Sequence, residues 1–474
     1  MATLKEPIIS RQPKLEILED RLPLSTFTVV NDLSQGPGSL NQAAIDAKAN
    51  PGPDRIEFNI PGDGPFRINP GEQNKSFLFG DDLTIDGFSQ PGSSPNNLKI
   101  GSNAVIKIAI TDFMDRMPSR QSFLFGDNCQ IQGLLISSWF QVGNNCTFKG
   151  NYVGVDFNGI DALFSNGFSC LSNCLIGGSE PKDRNIISNL ATSLNNNQIS
   201  GNYFGLSADG LNAIDRKGKW PAEGILIQSN HNIIGGILPG QGNVISGYDK
   251  GVLINGEYSC SSDPTEIPGT YTVPFSPITE PSKTYYRHNI TGNDNQIQGN
   301  YLGTNGYGTA ESGSLLFTDR SAKVRSLSND QAISLNSGVN NLIGGLTTGS
   351  RNIISNNVTG IYMPTASSCA NKIQGNFIGC DVNGSQLGNM TGIYIFNASI
   401  NNVIGGPEEG AGNVIAYNST FGINIEGEGS IGNLIDPNIV HGNKNIGIDL
   451  GGNGRTTNGV PGRPGPNGNQ NYPV

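Results

Sequence analysis

Chemistry on an extended sugar-like substrate calls for an acid or base, a charge stabiliser and a flat ring to stack on. In this 474-residue chain the residue types that supply those functions crowd into two stretches. Residues 256–290 end in Tyr285, Tyr286, Arg287 and His288, and residues 306–330 carry Asp319, Arg320, Lys323 and Arg325. Tyr286, Arg287, His288, Asp319 and Arg320 are the candidate base and charge-stabilising groups, and Tyr285, Lys323 and Arg325 the candidate ligand contacts. A third stretch, 109–121, brings Asp112, Asp115, Arg116 and Arg120. The plainer reading of all three is ordinary surface loop.

Other chemistry-bearing residues are sparse. The only histidines are His231, His288 and His441, which leaves little room for histidine-based schemes, and His441 in VHGNKN reads as a turn residue. Asp156, Asp209 and Asp381 recur in GVDFNG, GLSADG and GCDVNG. Calcium at such a turn needs further oxygen ligands and a distal Glu that are absent, so Asx turns are expected. Tyr152, Tyr203, Tyr301 and Phe377 share one register; outward they form a stacking stripe, but packing in a core or corner is the expectation. Cys170 and Cys174 have one ligand-like spacing but no second pair, so no metal site and no cofactor is expected.

Positioning falls to a repeat. One segment occurs as GNYVG from Gly150, GNYFG from Gly201, GNYLG from Gly299 and GNFIG from Gly375. A second, IGG, ends at Gly178, Gly236, Gly345 and Gly406, at intervals of 58, 109 and 61 residues, so a unit of that size recurs with one insertion. Aligning both segments on their Ile places one residue two positions before it: Leu83, Cys129, Cys146, Cys174, Asn197, Asn232, Asn295, Asn341, Asn371, Asn402 and Asn433. A second series, Asn185, Asn243, Asn352 and Asn413, follows eleven residues after four of these. Later members of the first series are 30 or 31 residues apart, the length of a coil rather than of a helix.

Short β-branched runs such as GILI (224–227), GIYI (392–395) and GINI (422–425) alternate at period two between Gly and Asn punctuation. Three such strands per turn, stacked in register, predict an all-β, single-stranded, right-handed parallel β-helix of roughly 12 to 15 coils, about 60–70 Å long. Stacked carboxamides donate and accept along the rod, and Asn tolerates the left-handed backbone of a turn. Cys129, Cys146 and Cys174 then continue the column as buried small hydrophobes, with a disulfide between neighbours as the alternative. A solenoid end needs a cover. Ser39 and Gln42 form a capping box, and Leu40, Ala43, Ala44 and Ala47 share one helical face, so residues 38–49 are expected to close the amino-terminal coil. The expected organisation is a leader-like segment at 1–25, the β-helix at 26–450 and a Gly/Pro/Asn-rich tail at 451–474 without an apparent cap.

Composition supports this reading. Charged residues are 14% of the chain against about 25% in an average protein, too few for the surface of a helical bundle. Net charge is −10, which argues against nucleic acid and anionic membranes as partners. No apolar run approaches the roughly 18 residues of a membrane span, and the first 25 residues show no ordinary secretory signal.

The stretches VVNDLSQGPGSLNQAAIDA (29–47), DRIEFNIPGDG (54–64), TIDGFSQPGSSPN (84–96), the GNY and IGG copies and GIDLGGNG (447–454) resemble right-handed β-helix repeat proteins of large bacterial secreted and surface polypeptides, including those with a CSLREA-type amino-terminal segment. Here that segment reads GSLNQAA, a departure from the pattern. LEILEDRLPLS (15–25) is similar to a short amino-terminal segment of planctomycete-like surface proteins. The resemblance implies a scaffold, a secreted or cell-surface location and no shared catalytic motif. Of the NTD, DD, GHG and RIK pattern of pectin hydrolases, only Asp81 and Asp82 match. The leading expectation is therefore a noncatalytic scaffold presenting loops to a polysaccharide or protein partner. The alternative is a polysaccharide lyase, hydrolase or epimerase using the inserted loops, and a third is a pure spacer; oligomeric state is left open.

Overall fold

The computed structural model describes residues 24–71, 76–111, 122–163, 167–192, 194–214, 223–256, 270–272, 284–286, 291–310, 327–397, 399–454 and 465–469. Its strands wind as one right-handed parallel β-helix. Sheet 1 has 13 strands, from Ser25–Val29 to Leu434–Ile435; sheet 2 has 12, from Phe66–Ile68 to Ile439–His441; sheet 3 has 12, from Phe77–Leu78 to Ile446–Leu450. Strand Ser25–Val29 returns to sheet 1 through the helix at Leu40–Ala49, and from Asp54–Phe58 onward each coil visits sheets 1, 2 and 3 in turn, its strands pairing in parallel with those of the neighbouring coils. Thirteen stacked strands span about 60 Å at the usual strand spacing of ~4.8 Å.

Residues pointing inward stack by type. Ile131, Ile176, Ile199, Ile234, Ile297, Ile343, Ile373 and Ile404 form one fully buried column of sheet 1, broken by Phe148. Toward the amino terminus the same interior is filled by phenylalanines, with Phe79 on Phe125 at 4.7 Å and Phe140 on Phe168 at 4.6 Å, both parallel-stacked. The helix α1 (Leu40–Ala49) lies over the first coil with Leu40, Ala43, Ala44 and Ala47 buried. Its Ser39 cap accepts from the Gln42 backbone at 3.2 Å, but the Gln42 side chain turns away to Asp46, so only half of the expected box forms.

The repeating unit of about 60 residues is two coils, not one. A coil containing GN[YF] turns from sheet 1 to sheet 2 in two residues and then makes a long loop into sheet 3, such as 154–167 or 379–390. Its neighbour does the reverse, with a long turn after IGG and a short corner into sheet 3, such as 188–189 or 355–358.

The column of aligned residues is an internal amide ladder. Asn232 donates from Nδ2 to Asn295 Oδ1 at 3.0 Å, Asn295 to Asn341 at 3.1 Å, Asn341 to Asn371 at 2.9 Å, Asn371 to Asn402 at 3.1 Å and Asn402 to Asn433 at 3.0 Å. One more rung comes from the tail, where Asn467 Oδ1 accepts from the Asn433 backbone at 2.9 Å. The second series is also real but twice as dense: Asn185, Asn243, Asn352 and Asn413 alternate with Asn151, Asn202, Asn300 and Asn376, the asparagines of the GN segments. A third ladder, Asn329–Asn357–Asn389–Asn418–Asn443, runs along the corner before sheet 3.

One expected cause is corrected. The left-handed backbone belongs to the residue before the first-ladder position: Asn128, Asn145, Asn173, Asn196, His231, Asp294, Asn340, Ala370 and Asn401 all have φ between 54° and 63°. The ladder asparagines are there for hydrogen bonding, not for φ. In the early coils, where Cys and Leu fill the column, amide bonding moves outward to these turn residues: Asn128 donates to Asp82, Asn145 to Asn128 and Asn173 to Asn145. Cys129, Cys146 and Cys174 are buried free thiols, so no bond joins them. Each thiol donates to a main-chain carbonyl as the ladder amides do, Cys129 to Gly80, Cys146 to Gly126 and Cys174 to Gly143, and Cys146 Sγ also accepts from the Cys129 backbone at 3.3 Å. The thiol of Cys146 is drawn down by its bond to Cys129, but the bond with Cys174 and burial prevail and push it up to about 12.

Candidate functional site

Each expected site residue was traced to its place on the rod. Arg287, His288, Asp319, Arg320, Lys323 and Arg325 lie outside the described residues, as do Asp112, Asp115, Arg116 and Arg120. Tyr285 and Tyr286 belong to a strand, Thr284–Tyr286, that pairs antiparallel with Thr270–Thr272. The attachment points of these insertions are defined. Strand Lys250–Ile254 runs into 256–290, and 306–330 runs into strand Gln331–Leu335; the two strands are neighbours in sheet 3. The insertions therefore spring from opposite long edges of one sheet.

The outer face of that same sheet carries a row that the sequence reading passed over. In the strands up to Phe421–Ile425 the residue between two buried apolar positions lies on the outer side, and the register aligns Leu226, Leu253, Ser334, Tyr362, Tyr394 and Asn424, with Asp449 of the last strand next in line although its neighbour Ile448 is exposed. Tyr362 and Tyr394 are half-buried rings 5.5 Å apart and inclined at 40°. Phe396, one position beyond the end of the Tyr394 strand, extends them at 5.9 Å and is 37% exposed. Three aromatic rings thus make a platform, with Leu226 and Leu253 further along the same row toward the amino terminus.

Polar groups border the platform on its carboxy-terminal side. The Asn424 amide donates to Glu426 at 2.7 Å, which holds that carboxylate as an acceptor. Burial, then the hydrogen bond and the negative charge of Glu426, push the Tyr394 phenol up to about 12. Asn424 Oδ1 and Asp449 Oδ1 are buried without a donor among the described residues, while the other Asp449 oxygen accepts from the Gly454 backbone at 2.9 Å. Asp449 is only 1% exposed, whereas Glu426, one position beyond the Phe421–Ile425 strand, is partly reached by solvent.

The remaining candidates resolve into structure. Asp209 and Asp381 accept the backbone N–H two residues on at 2.8 Å, as Asx turns do, and Asp156 instead closes its loop on the Ile160 N–H four residues on, also at 2.8 Å. Tyr152 and Tyr203 point outward from sheet 2 yet are buried in a satellite core with Ile106, Leu135, Ile186 and Leu206, so no continuous stacking stripe forms there. His441 is the last residue of strand Ile439–His441, edge-on to Tyr417 at 5.2 Å, rather than part of a turn. His231 sits in the left-handed turn position, 3.7 Å from Asp294.

Among known proteins, no family model and no curated protein matches the chain. A solved structure titled "Crystal structure of Dettilon tailspike protein" is similar over 89% of this chain and 68% of that one, with 12% identity and a TM-score of 0.42.

Proposed function

We propose that this chain is a noncatalytic secreted or cell-surface scaffold of the right-handed β-helix repeat type, whose sheet 3 binds a polysaccharide along the rod. The observation that carries the reading is the Tyr362–Tyr394–Phe396 platform, because three contiguous, partly exposed rings leave flat apolar faces in water that a ligand can cover. Sugar rings laid over them exchange exposed apolar faces for stacking, while Glu426 accepts hydroxyl protons. Loops 256–290 and 306–330, rooted on the two edges of the same sheet, supply the flanks; Tyr285, Tyr286, Arg287, His288, Asp319, Arg320, Lys323 and Arg325 are their candidate contacts.

Binding is favoured over cleavage. Glycoside hydrolysis uses two carboxyl groups on either side of one bond. Beside the platform Glu426 is partly accessible and Asp449 is closed over, and the other partly exposed strand carboxylate described on sheet 3, Glu223, lies five strands from the Phe421–Ile425 strand. A glycan array probed with wild type and with the Tyr362→Ala/Tyr394→Ala double variant tests the reading. Retention of a polysaccharide by wild type and its loss in the double variant, with unchanged melting, is expected. Release of reducing or unsaturated ends that stops in Glu426→Gln would establish an enzyme instead.

A further inference from the structure

Two places on the outside of sheet 2 have the same construction, and among the described residues only one of them is covered. At the first, Arg184 precedes the ladder residue Asn185, and its guanidinium lies 4.6 Å over the ring of Tyr203 on the next coil. At the second, Arg351 precedes Asn352 and lies 4.1 Å over the ring of Phe377. The register is shared as well, since Ile186 pairs with Tyr203 as Ile353 pairs with Phe377.

The first site is filled by the chain itself. Residues 87–106 leave sheet 1 after Asp86 and lie against the outside of sheet 2, with the Tyr152 hydroxyl donating to Ser102 Oγ at 3.1 Å. Arg184 fans its guanidinium N–H groups onto three main-chain carbonyls of this strap, Leu98 at 3.1 Å, Lys99 at 2.7 Å and Gly101. The Gly101 N–H donates to the Tyr203 hydroxyl at 2.9 Å, and Asn96 donates to the Pro181 carbonyl at 2.8 Å. Along the rod the strap extends to Ile100 beside Gly306, and its contacts are with Tyr152, Arg184 and Tyr203 rather than with Arg351 or Phe377.

At the second site Arg351 donates from Nε to the Gly375 carbonyl at 3.2 Å, and its side chain forms no ion pair or other hydrogen bond among the described residues. Phe377 and Val414 are half-buried and Ile439 is 60% exposed, an apolar floor in line with the strapped one. Ile353, Phe377, Val414 and Ile439 occupy successive strands, so the floor is about 14 Å long at ~4.8 Å per strand.

We propose that this groove docks an extended polypeptide segment of a partner, which places its main-chain carbonyls on Arg351 and an apolar or small side chain on Phe377. The strap is the template for the occupant. It shows that a guanidinium on an aromatic ring at this register selects a fan of carbonyl oxygens, a task that suits the rigid five-donor fork of Arg and not the point charge of Lys. Phe377 has no hydroxyl where Tyr203 has one, so the second segment needs no N–H at that point and tolerates proline. Exposed Glu408 and Glu409, on the long turn two coils further along, favour a segment carrying a lysine, as the strap does at Lys99.

The test uses a fluorescein-labelled synthetic peptide of the strap sequence, residues 92–105 (GSSPNNLKIGSNAV), titrated with the full chain by fluorescence anisotropy. Saturable binding is expected, weakened at least about tenfold by Arg351→Ala and by Arg351→Lys, because a charge-assisted fork is lost in both. Tyr362→Ala/Tyr394→Ala, on the opposite sheet, leaves it unchanged. Arg351 is partly exposed, so unaltered melting of its variants separates binding from folding. No saturable binding, or equal binding by Arg351→Ala, overturns the proposal. So does tighter binding of oligogalacturonate that survives Arg351→Lys, which would make the site a carboxylate reader.

Discussion

Replacing Asn341 by Ala removes one rung from the middle of the first ladder. The wild-type side chain accepts from the Asn295 backbone at 2.9 Å and from Asn295 Nδ2 at 3.1 Å. It donates to the Gly292 carbonyl at 3.0 Å and to Asn371 Oδ1 at 2.9 Å. After truncation Asn295 Nδ2 keeps the Ser229 carbonyl and Asn371 Oδ1 keeps the Asn341 N–H, but the Asn295 N–H and one lone pair of Gly292 lose their partners in a place water does not reach. A buried orphan costs about 1–3 kcal/mol, and the cavity adds to it, so the expected destabilisation is about 3–5 kcal/mol. Asn341→Cys should cost about 1–2 kcal/mol, because sulfur accepts a backbone N–H at the same column position in Cys146. Asn438→Ala, at the partly exposed end of the second ladder, should cost about 1 kcal/mol or less, since water replaces what is lost. Because stacked coils need not unfold in one step, denaturant titration is paired with hydrogen exchange read at the Asn295 amide. The argument fails if Asn341→Ala lies within about 0.5 kcal/mol of wild type, or costs no more than Asn438→Ala.

Tyr394 should give a phenolate absorbance step near pH 12, and Glu426→Gln should move that step down, because the bond to Glu426 and its charge are two of the causes holding the proton. The folded value lies above the ordinary tyrosine value, so whatever stability the proton confers is complete below pH ~10 and is lost as pH rises toward 12. Cys380, pushed up to about 11 by burial and then by Asp381, and Cys146 and Cys174, pushed up to about 12, should resist an aromatic disulfide reagent at pH 8 in the folded protein. Rapid colour development from these thiols before denaturant is added would contradict their burial.

The aligned Asn–Cys–Leu column could be read from the chain because a hydrogen-bonded rung demands one residue type at one place in every coil. That demand repeats, and repetition is visible in a linear string. The third ladder left a fainter trace, Asn two residues before Thr at Asn357, Asn389 and Asn418, which resembles chance at so short a spacing. The doubling of the second ladder was hidden by the two-coil unit, whose alternate coils use different turns to bring an asparagine to the same corner. Tyr362 and Tyr394 were hidden for another reason. Strand alternation tells which residues point out, and GIYM and GIYI show a Tyr there, but whether two outward rings touch depends on coil register across the intervening 30-odd residues.

The sequence by itself therefore determined the winding of the rod, its inward stacks and its amino-terminal cover, because each rests on periodic short-range rules repeated coil after coil. Only the tertiary structure decided what lies on the surface. The strap that crosses several coils to satisfy Arg184 and the platform on sheet 3 both come from contacts between segments far apart in the chain, and among the described residues no such segment reaches Arg351. No spacing rule encodes such contacts, because loop lengths vary freely while the coils beneath keep their register.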